Sequence, residues 1–436
     1  MRRARGRVLV RVALITFALG LLAAAAVAWL NVRGEAPTTA TPLASTPELI
    51  ARGAYLARAG NCMGCHTVPG GAAYAGGRGV PTPFGTIYAP NLTPDRASGL
   101  GAWSPDEFWR ALHNGRAADG RLLYPAFPYP NYTRVKRADS DAMYAYLRSL
   151  PAVAQANKAH ALSFPFDQQA ALAIWRALYF RAAEPGLPEP RRTDQDPARS
   201  PEWLRGAYLV EGLGHCNACH ASRNALGATR NTLDLAGGLI PVQNWYAPSL
   251  TAPDEASLAA WELPQIVALL RTGISERGAV LGPMGEVVAG STQHLTEPDL
   301  RAVAVYLKAL PPSPAAPTPA TTPQPASPDG PGAKLYAQHC VQCHGEQGEG
   351  VAGVYPALAG SRAVTMRTAA NLVHVVLEGG FPPATFGNPR PYGMPPFATV
   401  LSDAEVAELL SHLRGSWGNR GAPVSALDVV KFKRGR

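Results

Sequence analysis

Three kinds of hydrophobic pattern run along this chain. The first is continuous: Arg2, Arg3, Arg5, Arg7 and Arg11 lead into an uncharged, mostly apolar run of 19 residues from Val12 to Leu30. A basic start followed by an apolar span is the grammar of export. The run is long for a signal-peptide core and about right for crossing a bilayer. An Ala-Val-Ala at 26–28 offers a cleavage site, but the length favours reading residues 1–35 as an uncleaved anchor. Either way, the chain beyond residue 35 lies outside the cytoplasm, and no later segment is long and apolar enough to span a membrane. The second pattern is helical, in DSDAMYAYLRSLP (139–151), TEPDLRAVAVYLKALP (296–311) and SDAEVAELLSHLRGSW (402–417). Ser402 followed by Glu405 forms a capping box, and Pro151 and Pro311 stop the first two helices. DQQAALAIWRALYF (167–180) predicts another helix, capped by Asp167, apolar on most faces and packed between its neighbours. The third pattern is broken by 42 prolines and 43 glycines, which predict long ordered loops between short helices. Residues 311–331 hold nine prolines in 21 positions. They form a semi-rigid spacer reaching roughly 60 Å at most, which leaves the segment after it room to move or lies along a partner.

The pattern repeats. RGAYL occurs at 52–56 and 205–209, with a looser GAKLY at 332–336; YAPNLT (88–93) matches YAPSLT (246–251). Tyr88 to Trp103 and Tyr246 to Trp261 are both 15 residues, and Trp103 to Gly115 and Trp261 to Gly273 are both 12. One unit is therefore written three times, over 45–155, 201–311 and 332–436. A connector with a helix (156–200) joins the first two, and the Pro-rich linker (312–331) joins the last two.

All six cysteines lie in CxxCH boxes, one per unit: Cys62 and Cys65, Cys216 and Cys219, Cys340 and Cys343. Each box ends in histidine, at His66, His220 and His344. Histidine is 10 of 436 residues, so three chance follow-ons are on the order of one in 100,000, which makes the spacing a signal. A four-ligand zinc site would pair two boxes and orphan the third. A redox dithiol needs no adjacent histidine. Covalent haem attachment needs this arrangement: two thiols a helical turn apart reach the two vinyl groups, and the next imidazole reaches the iron. The reading is three covalently bound haem c groups in three mainly α domains of about 100 residues, each closed around a porphyrin that supplies much of its core. His215 and His339, just before their boxes, read as ordinary surface residues.

An electron-carrying haem commonly takes methionine as its second axial ligand. Met394 in GMPPF and Met284 in GPMGEVV stand at matching places before the closing helices. Met366 lies too near its box, and Met1 and Met63 are unsuitable. Laying Gly115 on Gly273 puts Phe127 beside Met284, and phenylalanine cannot ligate iron. Three readings of the first haem stay open: a shifted loop with another donor, a ligand from elsewhere such as Met143 or His113, or five-coordination. Arg223 is a candidate partner for a propionate. Trp103, Trp261, Tyr88 and Tyr246 are candidates to line the pockets.

Net charge is +9, and removing the five N-terminal arginines leaves about +4, too little to argue for nucleic acid. The tail KFKRGR (431–436) reads as a solvated terminus, with anionic lipid as the alternative contact.

With these motifs assembled, the chain resembles the triple-haem cytochrome c subunits of membrane-bound bacterial dehydrogenases that act on alcohols, aldehydes, gluconate and related sugars. TPFGTIYAPNLTPD (82–95), LYPAFPY (123–129), RGAYLVEGLGHC (205–216), YPALAG (355–360) and SWGNRGAPVS (416–425) carry the likeness. The family pattern has PAMPY in the first loop, so Phe127 departs from it. The resemblance implies three tandem cytochrome c-like domains on the periplasmic side of the inner membrane. It also implies a catalytic partner subunit of quinoprotein, flavoprotein or molybdenum type, and electron flow to ubiquinone or an oxidase. No Ser-His-Asp set, phosphate loop or dinucleotide fingerprint is evident, so catalysis is assigned to the partner. Two rivals are a multihaem enzyme acting on peroxide or a sulfur oxyanion at the first haem, motivated by Phe127 alone, and a donor cytochrome for a terminal oxidase.

Overall fold

The computed structural model describes residues 2–35, 43–183, 200–229, 235–313 and 325–433. Most of the Pro-rich spacer and the last three residues of the basic tail lie outside them. Helix α1 (Arg2–Val32) contains a 24-residue stretch, Leu9–Val32, with mean hydropathy 2.3 and side chains exposed except toward its C-terminal end, where Asn31 is buried. By length and composition it can cross a membrane. Then come α2 (Pro47–Ala59), α3 (Cys62–His66), α4 (Pro105–Asn114), α5 (Tyr129–Tyr132), α6 (Arg137–Ser149) and α7 (Gln169–Tyr179). Helix α8 (Pro201–Ala207) runs on into a wider-wound turn, Tyr208–Leu213. It precedes α9 (Asn217–His220), α10 (Leu263–Thr272), α11 (Pro283–Gly290) and α12 (Glu297–Lys308). Last are α13 (Pro331–His339), α14 (Val341–His344), α15 (Arg362–Thr365), α16 (Ala370–Glu378), α17 (Asp403–Gly415) and α18 (Ala426–Phe432). Strands are short: β1 (Gly79–Thr82), β2 (Gly85–Tyr88) and β3 (Ala161–Leu162) form an antiparallel sheet with Gly79 opposite Tyr88 and Gly85 opposite Leu162.

One helix pair recurs three times: α2 on α6, α8 on α12, and α13 on α17. Glycine makes each crossing possible. A Cβ on Gly53 would lie 1.9 Å from the Ala142 carbonyl oxygen, one on Gly206 2.0 Å from that of Ala302, and one on Gly332 2.3 Å from that of Glu408. This explains the glycine shared by both copies of RGAYL and by GAKLY. The closing helices end before Pro151 and Pro311 as expected, and the Ser402–Glu405 capping box is formed.

Arg and Tyr of RGAYL tie the first two pairs together by exchange. Asp139 of α6 receives Arg52 from its own unit and the Tyr208 hydroxyl, at 2.5 Å, from the next. Asp299 of α12 receives Arg205 from its own unit at 2.7 and 2.8 Å, and the Tyr55 hydroxyl from the previous one. The buried side chains of the two pairs accordingly form one continuous core, from Leu56 to Leu307, while Tyr336 to Phe432 form another. Burial pushes the Asp299 carboxyl up, but hydrogen bonds from Arg205 and Tyr55 outweigh it and hold the group below its ordinary value of 3.8. A depressed carboxylate stabilises the fold above its unfolded pKa, and that contribution is lost as pH falls through the folded value. Asp299→Asn is expected to lower neutral stability by about 1–3 kcal/mol and to flatten the acid limb of the stability curve below the ordinary carboxylate range. An unchanged acid limb in pH-dependent unfolding would count against the exchange.

The third pair is docked on the second. Asn371 bonds both the N–H and the carbonyl of Tyr246 at 2.8 Å. His374 stacks on Trp245 with ring centroids 4.8 Å apart, and Arg362 donates to the Ser257 carbonyl at 2.9 Å. The freedom expected from the spacer is therefore opposed by a specific interface.

Helix α7 differs from expectation at its start. Asp167 does not cap it: 164–167 form turns, with Phe166 N–H bonded to Ser163 and Gln168 N–H to Pro165, and Gln168 is the N-cap without a side-chain bond. The helix packs on the end of α1, where the buried Asn31 donates to the Ala173 carbonyl and accepts from Arg176 at 2.9 Å each. Trp175 reaches the Leu226 carbonyl of the second unit at 2.9 Å.

Candidate haem-binding site

The three boxes share one local device. Nδ1 of His66 lies 2.8 Å from the Pro90 carbonyl, that of His220 2.7 Å from Pro248, and that of His344 3.0 Å from Pro356. A carbonyl only accepts, so Nδ1 carries the proton and Nε2 keeps its lone pair. Among the described residues, Nε2 of these rings has no hydrogen-bond partner. Each prolyl carbonyl is brought in by a glycine in the left-handed region whose N–H bonds back to the histidine carbonyl: Gly76 to His66, Gly237 to His220 and Gly350 to His344, all at 2.8 Å. A Cβ on Gly76 would meet the Pro90 carbonyl carbon at 2.5 Å. Fixing the tautomer through the far nitrogen is how proteins orient a metal-binding imidazole.

The six thiols are free. Desolvation, reinforced by the neighbouring thiol of the same box, pushes Cys62 and Cys216 up to about 12 and Cys340 up to about 11. The first cysteine of each pair is thus a neutral thiol at physiological pH. No three His, Cys, Asp or Glu side chains converge as a metal site among the described residues, so no two boxes pool their sulfurs as a zinc site would. Paired thiols beside an imidazole with a free Nε2 fit a covalently held porphyrin. Met284, on α11, is half-buried against the first core, and Met394, half-buried against the second, forms a two-way main-chain bridge with Gly380.

A cytochrome c family model matches residues 50–151 and 330–417. The chain is 39% identical over 413 residues to the cytochrome c subunit of a quinone-dependent alcohol dehydrogenase from Gluconacetobacter polyoxogenes, covering 90% of this chain and 86% of that one. It is 37% identical over 404 residues to the gluconate 2-dehydrogenase cytochrome c subunit of Pantoea cypripedii, covering 88% and 90%. It is 32% identical over 432 residues to the fructose dehydrogenase cytochrome subunit of Gluconobacter japonicus, covering 93% and 86%. The chain belongs to the cytochrome c subunits of dehydrogenases. Membership makes it an electron-transfer subunit, not the catalytic one, with haem c as its cofactor.

Several residues that matter to this subunit were not singled out from sequence. Pro90, Pro248 and Pro356 orient the histidines; the signal for the first two was the repeated YAP, in which the proline, not only the tyrosine, recurs. A cation of each closing helix seals the loop beneath it. Arg148 donates to Leu100 O at 3.0 Å, Lys308 to Trp261 O at 2.5 Å, and Arg414 to Val364 O and Met366 O at 2.7 and 2.8 Å. The matching YLRSLP, YLKALP and HLRGSW carried that signal.

The structure also places the remaining candidates. His215 is not an ordinary surface residue: its backbone is left-handed (φ 37°), its Nδ1 lies 2.9 Å from the Leu213 carbonyl, and its ring stands edge-on to Tyr132 of the first unit. His339 is half-buried and faces Phe397. Arg223 is turned to the backbone carbonyls of Ala218 and Gly227. Trp261 is buried and Trp103 half-buried, both against the shared core. Tyr246 donates to Glu255 at 2.9 Å, and Tyr88 lies under Lys158.

The distal loop of each of the first two units lies against the other unit's box. Helix α11, bearing Met284, packs on α3, and Arg78 links the Gly64 carbonyl to Glu286 at 2.7 Å each. In return, Asn131 of α5 donates to Asn217 at 2.6 Å and to the Glu211 carbonyl at 2.8 Å.

Proposed function

We propose that the chain is a three-haem relay. It would hold one haem c in each of three tandem cytochrome c-like domains, over 45–155, 201–311 and 332–436. It would accept electrons from a catalytic dehydrogenase subunit of the alcohol, aldehyde or sugar-acid type and pass them to ubiquinone and the respiratory chain. The observation that carries this reading is the same proline-oriented histidine beside a thiol pair, present three times. When bound, each haem supplies a one-electron iron couple. Around it, Cys62 and Cys65, Cys216 and Cys219, and Cys340 and Cys343 provide the thioether sulfurs. His66, His220 and His344 present Nε2, and Met284 and Met394 offer soft sulfur donors to the second and third sites. The exchanged aspartates hold the first two sites at fixed separation, and the Asn371–Tyr246 and His374–Trp245 contacts hold the third against the second. A relay needs such fixed spacing more than it needs a substrate pocket. The relatives' names support a catalytic partner, which would carry a quinone, flavin or molybdenum cofactor.

The apolar α1 supports anchoring on the periplasmic side of the inner membrane. Its C-terminal end is bonded into the folded body through Asn31, and Arg116 pairs with Glu35 at 2.9 Å, so an uncleaved helix would set the body at the membrane surface, within reach of a membrane quinone.

The test is a stopped-flow assay on the purified full-length protein. Dithionite-reduced protein should reduce a soluble ubiquinone analogue and should oxidise no alcohol or sugar by itself. Turnover of such a substrate by the isolated chain would overturn the assignment.

A further inference from the structure

The backbone settles which residue of the first unit stands where Met284 stands in the second. Helices α4 and α10 both end in a left-handed glycine, Gly115 and Gly273. The chain then turns back, and one amide closes each turn: Leu123 N–H on the Gly115 carbonyl at 2.8 Å, Val280 N–H on the Gly273 carbonyl at 2.9 Å. Four residues beyond those amides come Phe127 and Met284. The correspondence thus rests on hydrogen bonds as well as on aligned letters.

Phe127 also faces the right surroundings. It is half-buried against the shared core, with its ring centroid 5.4 Å from that of Tyr132. The buried Tyr132 donates to the Gly60 carbonyl at 3.1 Å, two residues before Cys62. The phenyl ring therefore belongs to the pocket of the first box.

Other donors near this unit are committed elsewhere. His113 is buried at the end of α4, stacked on Trp109 at 4.6 Å, with Nδ1 turned to Thr133 Oγ1. Met143 is 3% exposed inside the helix-crossing core, and Met63 points outward. His215 belongs to the second box, one residue before Cys216, and its ring stands edge-on to Tyr132.

A phenyl group has no lone pair to give. We propose that the first site lacks a protein ligand at its sixth position and binds neutral diatomic ligands, carbon monoxide and nitric oxide, in an apolar pocket walled by Phe127. This rests on the reading of Cys62, Cys65 and His66 as a haem site. Binding adds one ligand to ferrous iron and transfers no electrons. The apolar wall favours neutral ligands over anions such as cyanide, because burying an unpaired charge there is costly.

The test uses the intact, dithionite-reduced protein, with haem content measured on the same sample. Carbon monoxide titration followed by optical difference spectra should give one bound molecule per chain. Phe127→Met should lower that stoichiometry by one and convert a high-spin signal to low-spin. Met284→Phe should raise it by one. If three haems are present and the wild type binds no carbon monoxide, or if Phe127→Met leaves the stoichiometry unchanged, the proposal fails while the relay reading stands. If the first box holds no haem, it is the relay reading that fails.

Discussion

Serine at both Cys340 and Cys343 is expected to remove one porphyrin and leave the other two in place. The reason is the division of the cores. Side chains from Tyr336 to Phe432 close on one another, and what joins them to the second unit is a set of hydrogen bonds and ring contacts rather than a shared cluster of buried side chains. Loss of the third haem should therefore loosen residues 331–433 and expose them to protease, with two haems still bound by the haemochrome assay. The same change at Cys216 and Cys219 should be far more damaging. The second unit shares its core with the first, Tyr208 and Leu209 belonging to the same buried cluster as Leu56 and Tyr132, and the two trade tyrosines across Asp139 and Asp299. Both should lose protection together. Equal protease patterns for the two variants would mean that the core is not divided in this way.

A second large effect is expected at the helix crossings. Gly206→Val would put a branched side chain where even a Cβ comes within 2.0 Å of the Ala302 carbonyl oxygen. The neighbour is backbone, so nothing flexible can yield and the helices must part. Overpacking typically costs about 1–3 kcal/mol; a rigid carbonyl at this distance places the substitution at or above the top of that range. Gly353→Ala, a left-handed glycine with open space around it, serves as a comparison in which only backbone strain operates. The measurement is the thermal midpoint of each variant relative to the wild type. A Gly206→Val midpoint no lower than that of Gly353→Ala would contradict close crossing.

Much of this organisation was legible in the letters, because each motif performs a local task. RGAYL encodes a crossing glycine flanked by an arginine for its own closing helix, and CxxCH encodes the thiols and imidazole. The equal spacings from Tyr88 to Gly115 and from Tyr246 to Gly273 reflect loops of equal length. What stayed hidden depends on pairing between units. Nothing in RGAYL says that its tyrosine reaches the neighbour's aspartate. Nothing in GHC says that His215 meets Tyr132. The stack of Trp245 on His374 joins residues 129 positions apart with no shared motif. Asp167 was a plausible cap in isolation, yet the preceding turn absorbed it and moved the cap one residue on to Gln168, so that the helix starts at Gln169, whose side chain accepts from Leu122 N–H. The prolines of YAPNLT and YAPSLT were visible as repeats, but their role needed the geometry that sets each carbonyl against a histidine ring.

The central claim is one covalently held haem at each CxxCH box. Its most direct test is the intact mass of the full-length protein, taken with pyridine haemochrome quantitation on the same sample. The account requires three haems per chain, and loss of one for each pair of cysteines changed to serine. Fewer than three in the unaltered protein, or no haemochrome signal, would contradict it.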